Sequence, residues 1–418
     1  MLQILYKNST LFGFTLISMF FFEYLGFPTF YTNLIFYIAI SSLFLYVIKT
    51  FLLQTNNIYY KLMRGIVLLT AFSMVMALLF WDQSIIRSLK VTLIYLIPIF
   101  YFYLYKTRPK LQTIEYFIYF FAFTYIILWV YALLMFPTRI FGYHDANGLS
   151  ESGELITRGI FRFNFVGRGF LVIAFFLSLN KYILLKRKKF LYLSLLFFLM
   201  IILQVTRQLL LFSFIVGFYY VLRNNRYVWL YISLILFLLF VTPNLVNLEK
   251  IPIIRELTVE TSDQIMDQKQ GEENVRIQAY KYFFSNNWSK NILTDIFGNG
   301  IPDSQSEYFN VFGKAASMGY GTTDAGYAGM YIYTGYLGLF LYISLFLISA
   351  FSKVPPEYMF AKLYMIFMIP MNFGADWYSK VDFCIIMCIC VYLIGQYNIN
   401  NNQRRYSKNI DNYAKTNT

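Results

Sequence analysis

Charge is scarce in this 418-residue chain, at 13% of its residues, so the places where charge concentrates are where chemistry is to be sought. Four arginines fall in one stretch: Arg139, then Arg158, Arg162 and Arg168 in the run Thr157-Arg158-Gly159-Ile160-Phe161-Arg162, ending at Val166-Gly167-Arg168-Gly169. Arg207 stands by itself between Leu203-Gln204-Val205-Thr206 and Leu209-Leu210-Leu211-Phe212. A guanidinium grips phosphate through a bidentate fork, which would suit Arg207 to holding a phosphorylated ligand. The plainer alternative is a side chain that snorkels to a membrane interface. An arginine at the centre of a membrane helix costs about 2.5–3.5 kcal/mol and normally faces a cavity or a partner. For Arg158 and Arg162, pairing with Glu151 or Glu154 is an equally good account.

A second group lies further on. In Asn274-Val275-Arg276-Ile277-Gln278-Ala279-Tyr280-Lys281-Tyr282-Phe283, the apolar positions Val275, Ala279, Tyr282 and Phe283 recur at helical spacing. This predicts an amphipathic helix on a membrane face, bordered by Arg276 and Lys281. Phe297-Gly298-Asn299-Gly300 follows, a turn where backbone could approach a ligand closely. Asp324, in Thr323-Asp324-Ala325-Gly326-Tyr327, precedes a long apolar run and could cap a helix or act as a general base. The lone histidine, His144, beside Asp145, is read as incidental, and Asn372 and Asp376 as interfacial. Cys384, Cys388 and Cys390 share one apolar segment without metal-ligand spacing, so they are expected to be small lipid or core residues. The chain carries no nucleotide-binding glycine loop and no metal motif.

The elements that must position these residues are membrane helices. The chain is 58% hydrophobic and 21% aromatic, with a mean hydropathy of +0.54. A soluble domain carries about 25% charged residues; this chain lacks the polar surface to cover itself in water. Apolar runs at 9–27, 30–54, 65–81, 89–106, 115–136, 166–185, 190–206, 208–222, 227–243, 328–351, 362–379 and 381–398 predict an all-α polytopic membrane protein of about twelve transmembrane helices. The first run lacks a small-residue cleavage site, so no cleavable signal is expected. Lysines and arginines gather in alternate connections, among them Lys49, Lys61 and Arg64; Lys106, Arg108 and Lys110; and Lys186 to Lys189. By the positive-inside rule those connections and both termini are cytoplasmic. The net charge of +14 is therefore a topology signal and not a nucleic-acid footprint. Residues 1–399 form the membrane domain, with outer loops at about 137–166 and 244–326, the second containing amphipathic helices. Residues 400–418, rich in Asn and Lys, read as a disordered cytoplasmic tail.

Three pieces resemble the bacterial oligosaccharide repeat-unit polymerases of the Wzy type and, more distantly, the O-antigen ligases. They are Thr206-Arg207-Gln208, the stretch from Arg276 to Gly298-Asn299-Gly300, and Thr323-Asp324-Ala325-Gly326-Tyr327 with Tyr333-Thr334-Gly335-Tyr336-Leu337-Gly338. Ligases usually carry a histidine near the third piece; Asp324 stands there in this chain, which favours the polymerase. The resemblance implies a glycosyltransferase of the bacterial cytoplasmic membrane that polymerises undecaprenyl-pyrophosphate-linked repeat units at the outer face, without metal, nucleotide or other cofactor. It also implies roles: Arg207 and Arg276 on the donor pyrophosphate, Asp324 on the acceptor hydroxyl, and Arg158, Arg162, Arg168, Lys281 and Tyr327 on the lipid-linked substrate. Partners would be that substrate, membrane lipids, and a flippase and chain-length regulator of an O-antigen, capsule or exopolysaccharide pathway. The competing expectations are a ligase acting on another acceptor, a polysaccharide flippase or transporter, and a membrane acyltransferase.

Overall fold

The structure, a computed structural model, describes residues 8–135, 156–157, 160–161, 166–204, 206–224, 275–285, 291–318 and 320–397. Arg139, His144, Arg158, Arg162, the 227–243 run and the 400–418 tail lie outside the described residues. Among the described residues the fold is all-helical apart from one antiparallel pair, Ile156–Thr157 with Ile160–Phe161. The helices are α1 Ser9–Ser18, α2 Thr29–Leu52, α3 Ile58–Trp81, α4 Ile85–Thr107, α5 Leu111–Leu134, α6 Arg168–Leu185, α7 Lys188–Leu203 and α8 Arg207–Asn224. Three short helices follow, α9 Val275–Phe283, α10 Ile292–Phe297 and α11 Glu307–Ser317; then come α12 Gly326–Phe351, α13 Met359–Gly374 and α14 Val381–Tyr397. Six of these, α2 to α6 and α12, are long and apolar enough to cross a membrane.

Local sequence accounts for many boundaries. Asn57 caps α3 by accepting from the Tyr59 amide at 3.0 Å, and Asn291 with Thr294 forms a capping box on α10. Pro98 lacks an amide hydrogen and would clash with an α-helical carbonyl, and α4 passes through it as a 3-10 stretch, Leu93–Ile99. The expected 9–27 span is shorter than composition predicts: α1 ends at Ser18, and Phe20 takes a left-handed φ of 53°. Likewise α13 stops at Gly374, and the stretch expected to carry it to 379 is a connector held by the Tyr378 amide, which donates to Asn372 Oδ1 at 2.9 Å.

Burial is arranged for an apolar solvent. The first turns of α4 bury Ser88 and Thr92 and expose Ile85, Ile86 and Leu89, the inverse of a water-facing helix. On α2, Phe30, Leu34, Ile38, Leu45 and Leu52 are all exposed. Aqueous exposure of so many large side chains is untenable, and lipid removes the cost. The interior is aromatic: Phe36, Tyr60, Phe100, Phe102, Phe117 and Phe121 are fully buried. Cys384, Cys388 and Cys390 are buried and free; they are core residues.

Hydrogen bonds between elements sort into two ends of the bundle. At one end, Lys106 Nζ donates to Tyr46 O at 2.6 Å, Lys362 Nζ to Ser352 O at 2.9 Å, and Asn180 to Pro356 O at 3.0 Å. Lys49, Lys61, Arg108, Lys110, Arg187 and Lys353 share this level in sequence, whereas acids are few there, Glu115 being held by Lys181 at 2.5 Å. This is the basic end. At the opposite end Trp81 Nε1 donates to Asn299 Oδ1 at 3.0 Å, and the Gly169 amide to Asp382 at 2.8 Å.

The described part of the long second loop does not stand apart as a separate body. Ala279 and Phe283 of α9, Tyr308 and Ala315 of α11, Ile301 and Trp81 bury one another against Ala328 and Ile332 of α12. Beside them α10 and the turn after it dip into the bundle. Gly300 packs on Ser73 of α3, roughly 12 Å below Trp81 at 1.5 Å per residue. Gln83 pins this re-entrant turn, donating to Ile301 O at 2.9 Å and to Ser88 Oγ at 3.0 Å while accepting from the Asp303 amide at 2.9 Å. Replacing Gln83 with Leu strands a buried carbonyl and a buried amide. It should cost about 2–4 kcal/mol, read as a lowered melting temperature in detergent; an unchanged melt would show that the turn is held elsewhere.

Candidate functional site

The site is built around the last turn of α13 and the 375–380 connector, at the end opposite the basic one. Packing puts this turn at the meeting point of α8, α9 and α12. Gln208 presses on Gly374 so closely that a Cβ there would overlap its amide. From α9, the Tyr280 hydroxyl donates to Phe373 O at 2.9 Å. From α12, Tyr327 donates to Ile369 O at 2.7 Å and sets its ring edge-on to Phe373 at 4.9 Å. Gly326 lies against the carbonyls of Asn372 and Ala375, and the Asp376 amide donates to Thr323 O at 3.3 Å.

These contacts bring together residues far apart in sequence. Arg207, the first residue of α8, is half-buried next to Gln208. Arg276 and Lys281 are exposed on α9, on either side of Tyr280. Burial raises the Tyr280 phenol to about 12, and the nearby Arg276 charge pulls it the other way. Asp324 is exposed in the 3-10 turn Thr322–Asp324, with its carboxylate folded over Gly321. It does not cap α12, whose N-cap residue is Ala325 with no side-chain bond. Tyr327 is buried and touches α13 through both its hydroxyl and its ring. The buried residues of α9, Ala279 and Phe283, pack on protein, Phe283 meeting Phe312; just beyond the helix, Phe284 stacks on Tyr331.

Arg168 belongs to the same end but has its own partners. It opens α6 with its guanidinium 5.6 Å from the Trp377 ring. The buried Asp382 lies beside it and accepts from the Gly167 amide at 3.0 Å and the Gly169 amide at 2.8 Å. This carboxylate from α14 caps α6 from across the bundle and offsets the Arg168 charge. Asp382→Ala would leave two buried amides and a neighbouring cation without it. The expected loss is about 3–5 kcal/mol, measured by thermal melting; a loss below about 1 kcal/mol would contradict the capping role.

Sequence reasoning missed Asp382. Asn372 is fully buried, donating to Met368 O at 2.8 Å, and Asp376 is buried with Lys380 at 3.3 Å and Ser379 at 2.8 Å. The signal for Asp382 was present, an acid directly ahead of an apolar run. Gly298-Asn299-Gly300 has a partner within the protein. What this backbone approaches is α12, which loses helical geometry at Gly335 (φ 70°, ψ −176°). The carbonyls freed there are taken up by the turn: the Asn299 amide donates to Ile332 O at 2.7 Å and the Gly300 amide to Tyr333 O at 3.3 Å.

Beside Arg207 an apolar cleft of about 650 Å³ runs along α8, lined by Phe198, Leu210, Leu211, Phe212 and Phe214, with Arg207 and Gln208 at its head. A cation heading an apolar cleft is suited to an amphiphile with an anionic head and a hydrocarbon tail. Among the described residues no group of His, Cys, Asp and Glu is placed to hold a metal ion. Comparison with protein-family models, curated proteins and solved structures finds no match for this chain.

Proposed function

We propose that this chain is a membrane glycosyltransferase that polymerises polyprenyl-pyrophosphate-linked oligosaccharide repeat units on the outer face of a bacterial cytoplasmic membrane. One observation carries the reading: α8, which begins with Arg207 beside an apolar cleft, shares the end of α13 with the elements that bear Arg276 and Asp324. The cleft would take the polyprenyl chain and Arg207 its pyrophosphate, with Arg276 neutralising charge that grows on the leaving group. Asp324, exposed at the same level, would accept the proton of the attacking hydroxyl. Arg168 and Lys281 would add to the field that draws an anionic substrate, and Arg158 and Arg162 would act from the first outer loop. The charge asymmetry of the two ends supports placing the basic end in the cytoplasm, and about twelve spans with both termini inside fit that placement. Cooperation with a flippase and a chain-length regulator would follow from the reaction.

The test is reconstitution. Purified protein incubated with a lipid-linked repeat unit, without nucleotide or metal, should yield a ladder of lengthened glycans. Absence of a ladder across several repeat units would overturn the polymerase. Transfer of preformed polymer to a different acceptor, without lengthening, would identify the ligase reaction instead.

A further inference from the structure

A second cleft lies at the other end of the molecule, about 660 Å³ in volume, between α1, α2 and α4. It exists because the facing residues are small: a Cβ at Gly13 would meet no atom within 4 Å, and Ala39 and Ser42 line the opposite wall. Its inner surface is apolar, from Phe14 and Leu43, and its rim is polar, from Tyr46, Tyr103 and Thr107. Each of two walls runs on into a lysine. On α2, Ala39, Ser42, Tyr46 and Lys49 follow one another at helical spacing. On α4, Lys106 lies one turn from Tyr103, with its Nζ 2.6 Å from Tyr46 O and 3.5 Å from the centre of the Tyr46 ring. None of the three helices contributes an acid at this end, since α1, α2 and the Phe100–Thr107 part of α4 contain no Asp or Glu. The neighbouring surface of α2, through Leu45 and Ile38, is exposed and apolar.

We propose that this cleft holds one molecule of anionic phospholipid, an acyl chain between Gly13 and Ala39 and the phosphate between Lys49 and Lys106. Both lysines keep donors for a phosphate, since Lys106 uses one of its three on Tyr46 O and Lys49 is exposed. The site is separate from Arg207 and does not depend on the proposed reaction.

Native mass spectrometry of the full chain, titrated with phosphatidylglycerol or phosphatidylcholine, tests it. The wild type should retain one phosphatidylglycerol in preference to phosphatidylcholine. A juxtamembrane lysine strengthens binding of anionic lipid about fivefold, so K49A/K106A should weaken phosphatidylglycerol retention by about 30-fold and leave phosphatidylcholine unchanged. Lys49→Ala by itself should give the fivefold loss without touching the Lys106–Tyr46 bond. Gly13→Leu should lower retention of both lipids, whereas Gly13→Ala should behave as wild type, which separates filling of the cleft from misfolding. Equal retention of the two lipids by the wild type, or full retention by Gly13→Leu, would overturn the proposal. So would a rise in retention of both lipids on deletion of residues 2–7, which would mean that the N-terminal segment occupies the cleft.

Discussion

Gly335→Ala and Gly298→Ala are each expected to leave little folded protein in a detergent extract. Both glycines have positive φ with ψ near 180°, Gly298 at 88° and 167° and Gly335 at 70° and −176°. That region of conformational space is essentially closed to residues with a Cβ and costs of order 1–3 kcal/mol. Space is closed as well. A Cβ on Gly335 would lie 2.2 Å from Ile296 O, and one on Gly298 would lie 2.3 Å from Tyr333 O. Backbone atoms on both sides leave no flexible side chain to yield. The turn and the helix break fill one another, so either substitution disturbs both. A combined loss above about 4 kcal/mol is expected, comparable to the whole stability margin of many domains. Size-exclusion profiles and melting curves in detergent check it. Gly13→Ala is the control: it meets no atom and gains up to about 1 kcal/mol of helix propensity, so its melt should hold or rise. A Gly335→Ala protein that melts like the wild type would show that the break in α12 is dispensable.

Arg207→Ala is expected to slow glycan lengthening by roughly 10²–10³-fold while leaving the melting temperature near that of the wild type. That range is what loss of one donor to developing negative charge typically costs. The melt is read alongside the rate because Arg207 is half-buried with its Nε enclosed, and a melting temperature that falls with the rate would mark it as a packing residue. Arg207→Lys should recover only part of the rate, since an ammonium supplies charge without the planar fork. Arg276→Ala should slow the reaction too, by less, because Arg276 is exposed and more strongly screened. If the two arginines hold one pyrophosphate, the double variant should lose less than the product of the single effects. Initial rates at saturating and limiting substrate decide the matter. Unchanged rates in both single variants would remove these residues from the reaction.

Much of this architecture was legible in the chain because a bilayer makes length and hydropathy nearly sufficient for a helix. The expected spans around 30–54, 65–81, 89–106, 115–136, 166–185 and 328–351 correspond to α2, α3, α4, α5, α6 and α12. Thr206-Arg207-Gln208 opens α8, as the sequence suggests. What hydropathy does not register is an interruption made of apolar residues. Phe20 breaks the first span with a left-handed backbone, and Trp377-Tyr378 reads as helix although it forms the connector after α13.

The residues singled out for chemistry divide in the same way. Their types and spacing marked Arg207, Arg276 and Asp324 as unusual, because charge in an apolar chain needs a reason. Composition and periodicity by themselves determined that this is a helical membrane protein with one basic end, since both properties follow from solvent and are written locally. Only the tertiary structure decided that the elements bearing Arg207, Arg276, Asp324 and Tyr327 converge on the end of α13, that Asp382 caps α6 and stands beside Arg168, and that Gly298-Asn299-Gly300 serves the break in α12. Those outcomes depend on backbone approaches of a few ångströms between segments far apart in sequence. No local pattern encodes such distances; close packing of the whole bundle sets them.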